Sequence, residues 1–234
     1  MKKRLKSIIL ITFMLTFLVS TSAIASEQSG KHEEPVNGEF HALDSIKGID
    51  LESHMAESER LVQIGEQISR DRVTVILSGF KNLQQGDSRW SSEIMKTCNK
   101  TIGSEGCCLT SFTMIQRYLG GTDDPAQVNA KMGNSACPFV YKTAATLYGF
   151  DYNYASDASI NRYVDYIKGA INVGAPVLVG MSYGSGGENS HFVAAYGYDD
   201  NEIIISDPAS KNSTLLSQYT DNGYTVNRLI SYSK

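Results

Sequence analysis

Apolar positions early in the chain recur at the spacing of a helix: Leu51, Met55, Leu61, Ile64 and Ile68 fall at roughly helical intervals, with charged residues between them. A short, β-branched apolar stretch follows over residues 73–77. Residues 106–119 read as a second helix, ended by Gly120-Gly121. Asp124-Pro125-Ala126-Gln127 combines three start signals: an N-cap aspartate, a proline at the first helical position and a capping-box glutamine. Residues 138–147, ending before Gly149, and residues 159–171, closed by Gly174, read as further helices.

After Pro176 the pattern changes. Residues 177–183 read as a strand, Gly184-Ser185-Gly186-Gly187 as a turn or flexible loop, and residues 191–198 as a second strand. Asp199-Asp200-Asn201 suits a hairpin turn, residues 202–206 return, and residues 224–232 form a last strand. Helices first and antiparallel strands afterwards predict an α+β fold rather than alternating βαβ units.

The first residues carry a different pattern. Lys2, Lys3, Arg4 and Lys6 precede an apolar run over residues 8–19, and Ala23-Ile24-Ala25 forms a small-x-small cleavage site. This is the layout of a secretory signal peptide over residues 1–25, since the run is short for a membrane span; the alternative is an uncleaved N-terminal anchor. A secreted, extracellular protein is expected, with no stable membrane association once the signal is cut. No cysteine stands directly after the cleavage site, so a bacterial-type lipid anchor is not expected.

Composition narrows the classes further. With 234 residues, 41% of them hydrophobic, the chain can form one medium domain, or one domain plus an appendage, around a real core. A formal charge of −4 and a pI near 5.6 speak against a nucleic-acid partner, which needs a Lys/Arg surplus. Cleavage at residue 25 removes four positive charges and takes the formal charge from −4 to −8. The acidity is uneven: residues 26–80 net −6 and the remainder nets −2. Residues 26–50 read as polar and flexible. The acidic segment 26–79 is too small to fold alone. It packs on the following domain, serves as a pro-region that masks a site, or is a solvated linker with a weak helix. The main domain is expected over residues 80–234.

Four cysteines, Cys98, Cys107, Cys108 and Cys137, are present, and His191 is the one histidine of the main domain. A cysteine nucleophile works as its thiolate, which a helix N-terminus favours. Cys108, Phe112, Ile115 and Leu119 form one apolar stripe, which puts Cys108 in the core. Cys107 lies about 100° away and faces a cleft, and nearby Glu105 opposes its thiolate somewhat. The alternative for Cys107 is a structural thiol or half of a disulfide, which secretion permits. Cys98 and Cys137 are a plausible pair, although spacing does not fix connectivity. Adjacent cysteines and a single histidine do not suit a zinc site, so neither a metal nor another cofactor is expected. A hairpin brings His191 and Asp207 to the same end of the sheet, where the carboxylate can orient the imidazole against a thiol. The Cys107 N–H is one oxyanion donor, and the side-chain amide of Gln84 or Gln85 is a candidate for the second. The single tryptophan, Trp90, is read as packing under the site.

Four blocks in order, Gln-Gly-Asp-Ser-Arg-Trp (85–90), Thr-Ile-Gly-Ser-Glu-Gly-Cys-Cys-Leu-Thr-Ser (101–111), Ser-His-Phe-Val-Ala-Ala-Tyr-Gly-Tyr (190–198) and Asp-Pro (207–208), resemble papain-like cysteine peptidases of the bacteriocin-processing, double-glycine leader peptidase type. More closely, they resemble its stand-alone secreted bacterial branch. The resemblance covers residues 80–234. It implies a papain-like α+β fold with the nucleophile helix packed on an antiparallel sheet, and hydrolysis of peptide or protein substrates through a thioester. It implies Cys107 as nucleophile, His191 as general base, Asp207 as orienting acid and Gln85 as the oxyanion glutamine. Many relatives have small residues such as Gly-Pro after the nucleophile, where this chain has Cys108-Leu109. Two other functions use the same scaffold: a cell-wall amidase or acyl transferase with the same triad, and an inactive binding module, which would need none of these four residues.

Overall fold

The computed structural model describes residues 49–68, 73–155, 157–184 and 189–234. The expected signal peptide, residues 26–48 and most of the predicted glycine loop lie outside the described residues.

Helix α1 (Leu51–Ile68) is followed by strand β1 (Thr74–Ile76), the short hairpin β2 (Ile94–Met95) and β3 (Lys100–Thr101), and the one-turn helix α2 (Ile102–Glu105). Helices α3 (Cys107–Tyr118), α4 (Pro125–Met132) and α5 (Tyr141–Tyr148) lead to strand β4 (Asp151–Tyr154). Helices α6 (Asp157–Ile160) and α7 (Tyr163–Asn172) precede β5 (Val177–Tyr183), β6 (Asn189–Asp199) and β7 (Glu202–Ser206). A last short helix, α8 (Ser217–Thr220), and β8 (Tyr224–Ser233) complete the fold.

Helices therefore combine with an antiparallel sheet, in which β1, β6, β5, β8 and β4 are neighbours in that order and β7 also pairs with β6. Strand β6 organises the sheet. Ala194 and Ala195 pair with β5 on one edge and β7 on the other, and beyond them Gly197–Asp199 pair with both β1 and β7. Strand β1, which precedes the expected boundary at residue 80, is thus part of the same sheet.

The sheet is buried on both faces, which is why its central strands read as apolar runs rather than clean alternations. Val177, Val179, Met181, Val193 and Ala195 point to one side, with Leu61 and Val62 of α1 and Ile167 and Ile171 of α7. Leu178, Phe192, Ala194, Ile230 and Tyr232 point to the other, with Phe112 and Ile115 of α3 and Ala144 of α5. Side chains that alternate along β5 and β6 feed two separate cores, as the period of two requires. Helix α1 and the Cys107 helix α3 consequently lie on opposite faces.

Several local expectations hold. Asp124 and Gln127 form the reciprocal capping box with Pro125 inside it, and Gly149 ends α5 in the left-handed region. Three boundaries differ. The stretch 106–119 is preceded by α2, which Thr101 caps by accepting from the Ser104 N–H. Residues 138–140 are not helical, because an Ala136–Phe139 bridge closes a tight turn and α5 begins only at Tyr141. The predicted helix 159–171 is two helices, broken where Arg162 leaves helical geometry and binds Glu59 and Glu66 of α1, each at 2.7 Å. The β2–β3 hairpin, β4 and α8 are too short to give a periodic signal.

Candidate active site

Cys107 is the first residue of α3, so its N–H is among the groups that no carbonyl within the helix can accept. Gly106 makes this start possible: a Cβ there would lie 2.4 Å from the Ile102 carbonyl oxygen and force α2 and α3 apart. Cys107 is half-buried and Cys108 is buried; both are free thiols. Burial pushes the Cys108 thiol well up, and Cys107 beside it adds to this, so Cys108 belongs to the core as its stripe predicts. Cys98 and Cys137 form a disulfide across 39 positions, which ties the β2–β3 hairpin to the turn before α5. Burial also raises the Glu105 carboxyl, so this residue loses its charge more readily than an exposed glutamate.

Pairing of Ala194 with Ser206 in the β6–β7 hairpin places His191 and Asp207 at one end of the sheet. His191 Nε2 lies 2.9 Å from Asp207 Oδ1, and Cys107 is close enough to the His191 ring to act on its charge. Asp207 occupies Nε2, which leaves Nδ1 for the sulfur. Burial pulls the imidazole down, but Asp207 and Cys107 together raise it to about 10. Burial pushes the Asp207 carboxyl up; His191, the Tyr219 hydroxyl and the Ala209 N–H outweigh this and lower it. Three sequence-predicted residues, far apart in the chain, are therefore electrostatically coupled.

Helix α3 sets the spacing of these residues. One turn after Cys107, Ser111 donates to the Phe192 carbonyl at 3.1 Å, next to His191. One turn further, Met114 Sδ accepts from the Leu83 N–H and from the Ser206 hydroxyl, both at 3.0 Å. The same helix face thereby fixes the segments that carry His191, Asp207 and the two glutamines. Gln85 Nε2 donates to the Gly103 carbonyl at 3.0 Å, and its N–H donates to the Pro208 carbonyl at 2.8 Å. Gln84 points elsewhere, and its Nε2 donates to the Asp207 carbonyl at 2.8 Å. Trp90 is buried, donates to the Gln84 carbonyl at 2.8 Å, and packs with Ile102 and Cys108 as expected of a side chain under the site.

Ser111, Met114 and Tyr219 are contributors that site reasoning from sequence did not assign, and the Gln84 amide is bound to the backbone of Asp207. Ser111 had a signal, because it sits one turn after Cys107; the others had none. A polar cavity of about 200 Å³ borders Asp207, with Asn82, Gln84, Lys211 and Ser213 in its wall. Among the described residues, no cluster of three His, Cys, Asp or Glu side chains could hold a metal ion. Chemically, the arrangement offers a soft nucleophile, a base to take its proton, a carboxylate to stabilise the resulting imidazolium, and N–H donors at a helix start.

Comparison with known proteins gives one family match: the model of the Peptidase C39 like family aligns with residues 79–230, well over half of the chain. No curated protein matches. A crystal structure assigned as a C39-like peptidase from Bacillus anthracis shares 16% identity with a TM-score of 0.46, covering 69% of this chain and 98% of that one. That likeness is too loose to carry an argument.

Proposed function

Because the chain belongs to the Peptidase C39 like family, we propose that it is a secreted cysteine peptidase of papain-like arrangement acting on peptide or protein substrates, with Cys107, His191 and Asp207 as its triad. The observation that supports this most is the 2.9 Å pairing of His191 with Asp207, with Cys107, at the first turn of α3, acting on the same imidazole. The signal-peptide pattern of residues 1–25 supports secretion.

The reaction follows from the groups present. His191 takes the Cys107 proton, and the sulfur attacks the carbonyl carbon of the scissile bond. The oxyanion accepts from the Cys107 N–H and from Gln85 Nε2, whose other hydrogen is engaged by Gly103. Collapse breaks the C–N bond as the His191 proton passes to the leaving amine, and a thioester remains. Water attacks the thioester, His191 takes a proton from it, and the tetrahedral adduct releases the acid. The proton returns to sulfur. Throughout, Asp207 stabilises the imidazolium and keeps Nδ1 directed at the sulfur.

Iodoacetamide labelling followed by peptide mapping tests the site, and cleavage of a peptide library tests the reaction. Preferential alkylation of Cys107 at mildly acidic pH, lost in His191→Ala, with cleavage at internal peptide bonds, is expected. A reduced protein that shows neither preferential alkylation nor cleavage would be an inactive binding module.

A further inference from the structure

We infer that Tyr219 is a positioning residue of this site: its hydroxyl fixes the Asp207 oxygen that His191 does not use, and so aligns the imidazole with Cys107. The inference deepens the peptidase reading and rests on it for its kinetic consequences.

The Asp207 side chain is 0% exposed, so each of its oxygens needs donors from the protein. Oδ1 accepts from His191 at 2.9 Å and from the Ala209 N–H at 2.8 Å. Among the described residues, the donor to Oδ2 is the Tyr219 hydroxyl. Burial and the Asp207 charge push the Tyr219 hydroxyl up, which keeps its proton on, while nearby Ser213 acts weakly the other way.

The chain is folded to bring Tyr219 there. After β7 it turns back on itself: Ile205 N–H donates to the Thr214 carbonyl, and Leu216 N–H donates to the Ile203 carbonyl, both at 2.9 Å. Gln218 Oε1 accepts from the Thr214 and Leu215 N–H groups and pins this turn. The ring of Tyr219 packs 5.4 Å from the His191 ring and edge-on to Tyr224 at 5.2 Å, and only 8% of the residue is exposed. One side chain thus touches both the acid and the base.

The consequence is rotational. The terminal torsion of an aspartate is broad and roughly two-fold, so one fixed oxygen leaves the carboxylate free to swing. With both oxygens engaged, its plane is set and the His191 N–H meets it in one orientation. Without the hydroxyl, Oδ2 becomes a buried charged oxygen lacking that donor, and Asp207 binds a proton more readily. Loss of the carboxylate charge then removes support for the imidazolium at higher pH than in the wild type.

Tyr219→Phe in the full chain keeps the ring and deletes the hydroxyl. It is expected to lower kcat about tenfold, in keeping with one lost hydrogen bond to a charged group, and to leave KM within about twofold. The acid limb of the kcat/KM profile moves to higher pH, and the downfield proton resonance of the His191–Asp207 bond shifts. Ser213→Ala moves the limb the same way by less, and Tyr224→Phe leaves it in place. A Tyr219→Phe enzyme with wild-type kcat and acid limb overturns the inference, as does a lower kcat with neither limb nor resonance moved. If Tyr219→Phe does not fold, an unmoved limb in Ser213→Ala overturns it. The resonance is read without substrate, so an inactive wild type that shows the expected shift refutes the peptidase reading and keeps Tyr219 as the residue that orders Asp207.

Discussion

His191 Nε2 meets Asp207 Oδ1 at 2.9 Å across the β6–β7 hairpin. This contact couples the charges of the two residues, and the coupling has a definite pH window. The imidazole, with an ordinary value of 6.5, is raised to about 10, while the carboxyl is lowered from 3.8. A raised base stabilises the folded chain fully below its unfolded value and loses that contribution as pH climbs through the folded one. A lowered acid contributes above its unfolded value and loses it as pH falls through the folded one. The pair therefore stabilises most between roughly pH 4 and 6.5. Urea midpoints of wild type and Asp207→Asn, measured across pH, should differ most in that window and converge toward pH 10. A pH-independent difference would contradict the ion pair. At pH 6.5 the same variant should lose on the order of 10²–10⁴ in kcat, since the imidazole loses its orienting charge.

Gln85 is buried and its amide is held by Gly103, so its truncation removes the proposed oxyanion donor without touching the helix that carries Cys107. Gln85→Ala is expected to reduce kcat by about 10²–10³ with KM little changed, and to leave alkylation of Cys107 close to wild type. Loss of alkylation would assign Gln85 a part in building the Cys107–His191 contact instead.

Helix α1 meets α7 backbone to backbone. A Cβ on Gly65 would lie 2.0 Å from the Asp165 carbonyl oxygen, and one on Gly169 would lie 1.8 Å from that of Leu61. No side chain can give way there, so Gly65→Ala and Gly169→Ala should each destabilise the fold by about 2 kcal/mol or more in urea titration. Because Leu61 and Val62 are fully buried in the same core, a chain beginning at residue 80 should be less stable than one beginning at residue 26. Equal urea midpoints for the two chains would show that α1 adds nothing to stability.

The Cys98–Cys137 bridge closes a loop spanning 39 positions. Chain-entropy reasoning assigns about 4 kcal/mol to such a crosslink. The double variant Cys98→Ala, Cys137→Ala should lose stability on that order while its thiol at Cys107 still alkylates. Failure of Cys107 to react in a folded double variant would mean that the bridge also shapes the site.

The sequence by itself determined the longer helices and the C-terminal strands, the Asp124 capping box, the inward face of Cys108, and the hairpin that carries His191 toward Asp207. Each of these is written in local spacing: a period near 3.6, a period of 2, a cap residue, a turn. What only the tertiary structure decided is where each glutamine amide is bound, and how the acid is held. Gln84 and Gln85 are adjacent and chemically identical, and they part only because one faces the Asp207 carbonyl and the other Gly103. Tyr219 reaches Asp207 because a β7–β8 connection folds back through a four-residue helix, which leaves no periodic trace. The two cores on opposite sides of the sheet were likewise hidden, since strands buried on both faces show apolar runs whichever layer covers them.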